Sequence, residues 1–374
     1  MEKYRLLEDV CEILDSQRIP ITASERKAGG YPYYGANGIQ DYVDNYIFDD
    51  DLVLLAEDGG NFGSRDKPIA YRVSGKCWVN NHAHVLKPKS TINVDYLCYT
   101  LMFYDTTGLV NGATRQKLTQ SAMRQMKIPF VKMDVQNEIV KKINLVVDLI
   151  GKRKKQLEKL DELVKARFVE LFGTIHDNKF GYEIKTLQDV CEQIKDGTHQ
   201  TPTYTDDSVN GYKFLSSKDV TTGKIDWTHL KYIPEELHNE LYARITPKKG
   251  DILLAKNGTT GIAATVDRDE IFDIYVSLAL LRPIEINSVY LWAAINSVET
   301  KQQFDSSLKG IGVPNLHLGE IKKARIIVPA IELQNQFAAF VEQTDKSKLE
   351  VQKSLEKLEV LKKALMQKYF GYGG

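Results

Sequence analysis

Leu7-Glu8-Asp9-Val10-Cys11-Glu12-Ile13 returns later in the chain as Leu187-Gln188-Asp189-Val190-Cys191-Glu192-Gln193-Ile194. Outward from this pair, Asp51-Leu52-Val53-Leu54-Leu55-Ala56 returns as Asp251-Ile252-Leu253-Leu254-Ala255, and His84-Val85-Leu86-Lys87-Pro88 as Leu280-Leu281-Arg282-Pro283. Lys127-Ile128-Pro129 matches Ile327-Val328-Pro329, and Leu171-Phe172-Gly173 matches Tyr369-Phe370-Gly371. The matches keep their order at a shift of roughly two hundred residues. They describe a duplication: two globular segments, each followed by a helical one. A period this long excludes solenoids and propellers, whose units run about 20–50 residues.

The helical segments carry the second signal. Ile139, Ile143, Val146, Ile150, Leu157, Leu160, Val164, Phe168 and Leu171 alternate by three and four, a heptad seam with Arg153 as its polar interruption. Pro129 precedes this helix, and Gly173 stands where a left-handed cap ends it. The second copy reads Phe337, Val341, Thr344, Lys348, Val351, Leu355, Leu358, Leu361 and Leu365, and its middle is weakened by Thr344 and Lys348. Each helix spans about 35 residues, roughly 50 Å. Either the two seams pack on each other, antiparallel, or each helix lies on its own domain. Residues 151–161 hold too few apolar groups to cover a globular core, which favours the first arrangement. The expected layout is a first head at 1–132, a helix at 133–173, a second head at 174–331 and a helix at 332–374.

The heads read as mixed α and β. Residues 49–57, 69–73, 78–86 and 128–131 form short strands, and 94–104 and 118–126 short helices. In the second head 251–255, 274–281 and 324–328 follow as strands and 290–304 as helix. Asn-Gly pairs at Asn37-Gly38, Asn111-Gly112, Asn210-Gly211 and Asn257-Gly258 mark turns.

Composition bounds the function. The 374 residues hold 50 Lys+Arg against 50 Asp+Glu, with 43% hydrophobic residues, so this is a globular protein and not a uniformly basic nucleic-acid wrapper. Apolar stretches fall short of a membrane span, and residues 1–15 lack the apolar core of a secretory signal, so no membrane is expected. Cys11, Cys77, Cys98 and Cys191 form no CxxC pair and suit a reducing, cytoplasmic setting. No GxxxxGK[ST] loop, GxGxxG turn or nucleophile–base set is present, so no catalytic residue is expected. His82 and His84, taken on one strand, share a face but lack a third ligand nearby, so no metal is expected.

The remaining chemistry suits binding. Two similar but non-identical heads on antiparallel rods would face two half-sites on one side of a double-stranded DNA, which repeats about every 34–36 Å. Because the heads diverge, the target is expected to be asymmetric. Candidate contacts in the first head are Tyr33, Tyr34, Asn37, Asn61, Arg65, Asn81, His82, Arg115, Gln116 and Lys117. In the second they are Lys195, Thr198, His199, Ser217, Lys218, Lys256, Asn257, Thr259, Thr260, Lys309, Asn315 and His317. Arg and Lys grip guanine edges or phosphates, and Asn and Gln pair with adenine. The competing reading is a coiled-coil adaptor whose heads bind proteins.

Tyr33-Tyr34-Gly35-Ala36-Asn37-Gly38-Ile39, Ala56-Glu57-Asp58-Gly59, Asn80-Asn81-His82-Ala83-His84-Val85-Leu86-Lys87-Pro88, Arg167-Phe168-Val169-Glu170-Leu171-Phe172-Gly173 and Leu215-Ser216-Ser217-Lys218-Asp219-Val220 carry a resemblance. Pro329 followed by Leu333-Gln334-Asn335-Gln336 extends it. In this order they resemble the specificity subunit of Type I restriction-modification enzymes, over essentially the whole chain. The resemblance implies an α/β, mixed α+β fold: two target-recognition domains in tandem, each followed by a conserved helix, the helices forming an antiparallel coiled-coil spacer that sets the gap in a bipartite target. It implies two methyltransferase subunits, which use S-adenosylmethionine, and restriction subunits that translocate and cut DNA. The chain itself is expected to hold no cofactor.

Overall fold

The computed structural model describes residues 3–112, 115–308 and 314–371. The chain forms two compact units, Met1–Lys154 with Gln352–Gly374, and Lys155–Val351. Each long helix contributes one part to each unit.

The first unit contains β1 (Tyr4–Leu6), α1 (Leu7–Val10), β2 (Cys11–Ile13), β3 (Ala28–Gly35), β4 (Gly38–Val43), β5 (Phe48–Ala56), β6 (Ala70–Val79) and β7 (Ala83–Pro88). There follow α2 (Val94–Met102), β8 (Val110–Asn111), β9 (Lys117–Leu118), α3 (Gln120–Arg124), β10 (Lys127–Pro129) and the long helix α4 (Met133–Phe172). Six strands form one sheet in the order β2-β7-β5-β6-β3-β4, and β1 pairs antiparallel with β10. The run at 78–86, expected as one strand, is two. Asn80 breaks it: its side-chain oxygen accepts the His82 backbone N–H at 2.8 Å, an Asx turn that ends β6. His82 therefore lies in a turn while His84 is buried on β7, and the shared face expected of them does not exist.

The second unit repeats the plan with β11 (Glu183–Thr186), β12 (Cys191–Asp196), β13 (Tyr212–Leu215), β14 (Lys231–Ile233), α5 (Glu235–Arg244), β15 (Ile252–Ala255), β16 (Ala263–Thr265), β17 (Phe272–Ile274) and β18 (Leu278–Pro283). It closes with α6 (Ser288–Ile295), α7 (Val298–Ser306), α8 (Leu318–Lys323), β19 (Arg325–Val328) and α9 (Ile331–Phe370). β11 pairs with β19 as β1 does with β10, and β12-β18-β15-β16 matches β2-β7-β5-β6. The remaining strands form a separate sheet, β14-β13-β17. The first unit's continuous β6 corresponds to two strands here, interrupted by the charged run Asp267-Arg268-Asp269-Glu270, which cannot continue into a buried ladder. The run at 274–281 is likewise divided by the turn at 275–277, and the helical run at 290–304 breaks at Ser297, whose side chain caps α7.

In both units one hydrogen-bonded clamp ties the head to a long helix. Asn93 caps α2, its backbone N–H donates to Gln136 Oε1 at 2.8 Å, and its Nδ2 donates to Asn137 Oδ1 at 2.9 Å. Asn287 caps α6 and makes the same two bonds to Gln334 and Asn335, each at 2.9 Å. Each glutamine amide then donates 2.8 Å back to the chain entering its own helix, Gln136 to the Val131 carbonyl and Gln334 to that of Pro329. Gln136 and Gln334 are 0% and 1% exposed.

Within the first unit, Ile139, Val140 and Ile143 at the start of α4 share a core with Met366 near the end of α9, and Phe370 meets Tyr96 ring to ring at 5.3 Å. Within the second unit, Phe168 and Phe172 at the end of α4 meet Phe337 at the start of α9, both at 5.5 Å. Lys348, expected to weaken the seam, pairs with Asp161 at 2.5 Å, and Thr344 donates to the Phe340 carbonyl at 2.9 Å, so both polar residues are satisfied. Gly173 takes the left-handed cap conformation, φ +71°. Leu361, expected in the seam, is 45% exposed, and Met366 is buried. Leu361 follows Leu358 by three where the alternation of four and three calls for 362, so it falls one position off the seam.

Asp273, 2% exposed, accepts from His238 Nδ1 at 2.7 Å, and the Tyr212 ring stacks on the imidazole at 3.6 Å. Burial pushes its carboxyl up to about 6 against the pull of His238. Its second oxygen has no partner among the described residues.

Two predictions follow from this packing. Gln334→Leu leaves the Asn287 N–H and the Pro329 carbonyl unpaired and should destabilise the second unit by about 2–4 kcal/mol. Urea unfolding read from Trp227 and Trp292 in a Trp78→Phe background checks this, and a loss under about 0.5 kcal/mol contradicts it. For Asp273, the unfolded carboxyl titrates near 3.8 and the folded one near 6, so folding takes up a proton between those values. Stability present below pH 3.8 is thus lost as pH rises through 6. Asp273→Asn should unfold later than the parent at pH 7.5, with the gain shrinking to nothing below pH 4; a less stable variant at pH 7.5 contradicts it.

Candidate nucleic-acid interface

In the first unit the end of β5 runs on into Glu57-Asp58-Gly59, and the β8–β9 hairpin is laid along it. Leu118 N–H donates to the Glu57 carbonyl at 2.7 Å and Gly59 N–H to that of Gln116 at 3.2 Å. From the β3–β4 turn, Asn37 Nδ2 donates to the Gly59 carbonyl at 3.0 Å. Asp58 Oδ1 accepts from His82 Nδ1 at 2.5 Å and Arg115 Nη2 at 2.8 Å. Asn37, His82, Arg115, Gln116 and Lys117 are thus gathered around one loop, although they lie far apart in sequence.

Beneath the loop sits an ion cluster. Glu57 accepts from Arg18 at 2.7 Å and pairs with Lys117 at 3.1 Å. His84 Nδ1 meets Asp15 Oδ2 at 2.6 Å and its Nε2 the Leu118 carbonyl at 2.9 Å. Burial alone would raise the Asp15 carboxyl, but the hydrogen bond and charge of His84, with Val85 N–H and Gln120, hold it below the usual range. Ligand atoms of Asp15, Glu57 and His84 lie within 4.8 Å of one another. Each already has a protein partner, and Arg18 and Lys117 supply positive charge at contact distance, so these donors do not fit a metal ion.

The second unit has the same frame with different charges. Leu316 N–H donates to the Lys256 carbonyl at 2.8 Å, Gly258 N–H to that of Pro314 at 3.2 Å, and Asn257 pairs antiparallel with Asn315. Lys256 therefore stands where Glu57 does, Asn257 where Asp58 does and Asn315 where Lys117 does. Lys256 Nζ and His199 Nε2 both reach Asp196 Oδ2 at 3.0 Å, and Arg244 Nη2 donates to the Gly197 carbonyl at 2.9 Å. Burial pushes the Asp196 carboxyl up, but Lys256 and His199 outweigh it and hold it low. The Asn257 and Asn315 side-chain oxygens accept no hydrogen bond among the described residues.

Several candidates are committed to structure. Tyr33 is 1% exposed, under the Arg26 guanidinium at 4.2 Å. Tyr34 is half-buried against Tyr71, with ring centroids 5.7 Å apart. Lys256 is buried on Asp196, and Thr198 is buried between the Ile274 carbonyl and the Val276 N–H. The backbone N–H of half-buried Ser217 donates to Ser277 Oγ at 2.9 Å. Asn81, Arg65, Lys195, His199, Lys218, Thr259 and His317 are exposed, and Asn61 and Thr260 half-exposed. Lys309 lies outside the described residues. The sequence candidates lack Asp58, Asp196, Arg244 and the Arg18–Glu57 pair; Glu57 and Asp58 lie in the string Ala56-Glu57-Asp58-Gly59, but their partners Arg18, His82 and Arg115 are distant in sequence. Burial pushes all four thiols up to about 12, which suits packed side chains and not nucleophiles.

Comparison with known proteins agrees in both heads. A family profile described as Type I restriction modification DNA specificity domain matches residues 2–160 and 180–362. A Haemophilus influenzae protein bearing the name of a type I restriction enzyme specificity subunit is 27% identical over 91% of this chain and 86% of its own length. The MjaVIII specificity subunit of Methanocaldococcus jannaschii is 25% identical over 96% of this chain and 89% of its own. The crystal structure of the M. genitalium type I restriction-modification S subunit shares the fold, with a TM-score of 0.58 at 16% identity, covering 98% of this chain and 95% of that one. Among the described residues no helix is long and apolar enough to cross a membrane. With both copies of the repeat matched, over most of its length, the chain belongs to the type I restriction-modification DNA specificity family.

Proposed function

We propose that this chain reads an asymmetric, bipartite sequence in double-stranded DNA, one half with each head, and performs no chemistry itself. The carrying observation is the repeated loop frame: the 57–59 and 256–258 loops hold the same backbone bonds but present different polar side chains. A shared frame places side chains at equivalent depth against a groove, and divergent side chains select different base edges. In this reading Asn37, His82, Arg115, Gln116 and Lys117 serve one half-site, and His199, Lys218, Asn257, Thr259, Asn315 and His317 the other. The long helices set the gap between half-sites and dock two methyltransferase subunits, which use S-adenosylmethionine, and restriction subunits join the same assembly. The continuity of α4 and α9 through both units supports the spacer role, and the four free cysteines suit a cytoplasmic setting.

The test is a footprint of the full chain, bound with its methyltransferase partner, on genomic fragments over a salt series. One bipartite sequence should be protected, and affinity should fall steeply with salt, by roughly 10³ or more between 50 and 200 mM if six or more phosphates are contacted. Inserting four residues after Gly151, about 6 Å of helix, should alter the gap and leave each half-site as it was. Uniform binding to unrelated duplexes, or none at any salt as a protein adaptor would show, overturns the reading.

A further inference from the structure

We propose that Asp58 is a positioning residue that sets the first head's preference for guanine: it holds Arg115 so that the rest of its guanidinium faces outward as a donor fork. The proposal rests on the DNA-reading function above and adds to it a base and the residue that fixes its recognition.

The geometry is built from three sides. Asp58, whose side chain is 19% exposed, lies below, and Arg115, at 59%, lies above it. A single carboxylate oxygen takes both Arg115 Nη2 and His82 Nδ1, and the two nitrogens stand 3.3 Å apart, so the imidazole blocks one direction of guanidinium swing. Gly59 supplies the floor. Its φ is +62°, and a Cβ there would sit 3.3 Å from Arg115 Nε and 3.6 Å from Nη2. The guanidinium thus runs along bare backbone, which Asn37 and Gln116 pin through the Gly59 carbonyl and N–H.

Among the described residues Asp58 takes one Nη2–H, which leaves the second Nη2–H, parallel to an N–H of the neighbouring guanidinium nitrogen, for a ligand. Two N–H groups in a planar fork match O6 and N7 of guanine. A flexible arginine would lose rotamer freedom on binding, whereas one already held by Asp58 loses less and meets a mismatched base with its donors in the wrong place. At the position equivalent to Asp58 the second unit has Asn257, which carries no charge.

The carboxylate also opposes DNA phosphates, and this separates a positioning role from a structural one. Full-length chain with its methyltransferase partner is used to select bound sequences from a randomised duplex library, and affinity for a random duplex is measured alongside. The parent should prefer guanine at one position of one half-site. Arg115→Ala and the charge-preserving Arg115→Lys should each reduce that preference roughly tenfold, since Lys lacks the fork. Asp58→Asn should reduce it about three- to tenfold while random-duplex affinity holds or rises. It should change nothing further in the Arg115→Ala background, and Asp58→Glu should restore part of the preference. If Asp58→Asn does not fold, Asp58→Ser replaces it. Guanine preference unchanged by loss of the Asp58 carboxylate, or no single position responding to Arg115, overturns the proposal. A parent that selects no sequence overturns the DNA-reading function itself.

Discussion

A buried glutamine at the start of each long helix fixes the direction in which that helix leaves its head. Gln136 and Gln334 each accept a hydrogen bond from the backbone N–H of a helix-capping asparagine and donate one from their amide Nε2 to the chain entering their own helix. Such an amide is stable in the interior only with every bond made, because each unpaired group costs about 1–3 kcal/mol. The clamp therefore tolerates little variation in angle. The same three hydrogen bonds recur in both copies, so both keep one head-to-helix geometry while their loops diverge.

The loops where the strands end differ between the two copies. The loops after β5 and β15 hold identical backbone contacts to a following segment, yet an acid, Glu57, stands in one where Lys256 stands in the other. Each charge is neutralised locally, Glu57 by Arg18 and Lys117, Lys256 by Asp196. A rigid, internally balanced base lets the exposed residues above it change without refolding the frame. Beneath the loops the acids and cations are thus paired with one another.

Much of this was legible in the sequence, and what was not has identifiable causes. The duplication, both long helices and the Gly173 cap come from strong periodic or local signals. Strand ends were misplaced where a side chain intervened, as Asn80 does by folding over the His82 N–H. Leu361 faces outward because it stands one position before the heptad place at 362, so it does not belong to the seam. Among candidate contacts, Arg115, His82 and Asn37 converge on one loop, while Tyr33 and Lys256 are buried by Arg26 and Asp196, partners remote in sequence. The clamp was half visible: Gln-Asn at 136–137 and at 334–335 recurs in register, but its importance depends on Asn93 and Asn287, roughly forty residues earlier in each copy.

The central claim is that two copies of one reader act independently on one DNA. Single-molecule sequencing of methylated adenines in the host genome tests it most directly, comparing the native chain with one whose residues 1–132 come from another family member. The account predicts an asymmetric bipartite motif for the native chain and a change confined to one half after the exchange. Methylation that ignores the chain, or an exchange that alters both halves, would contradict it.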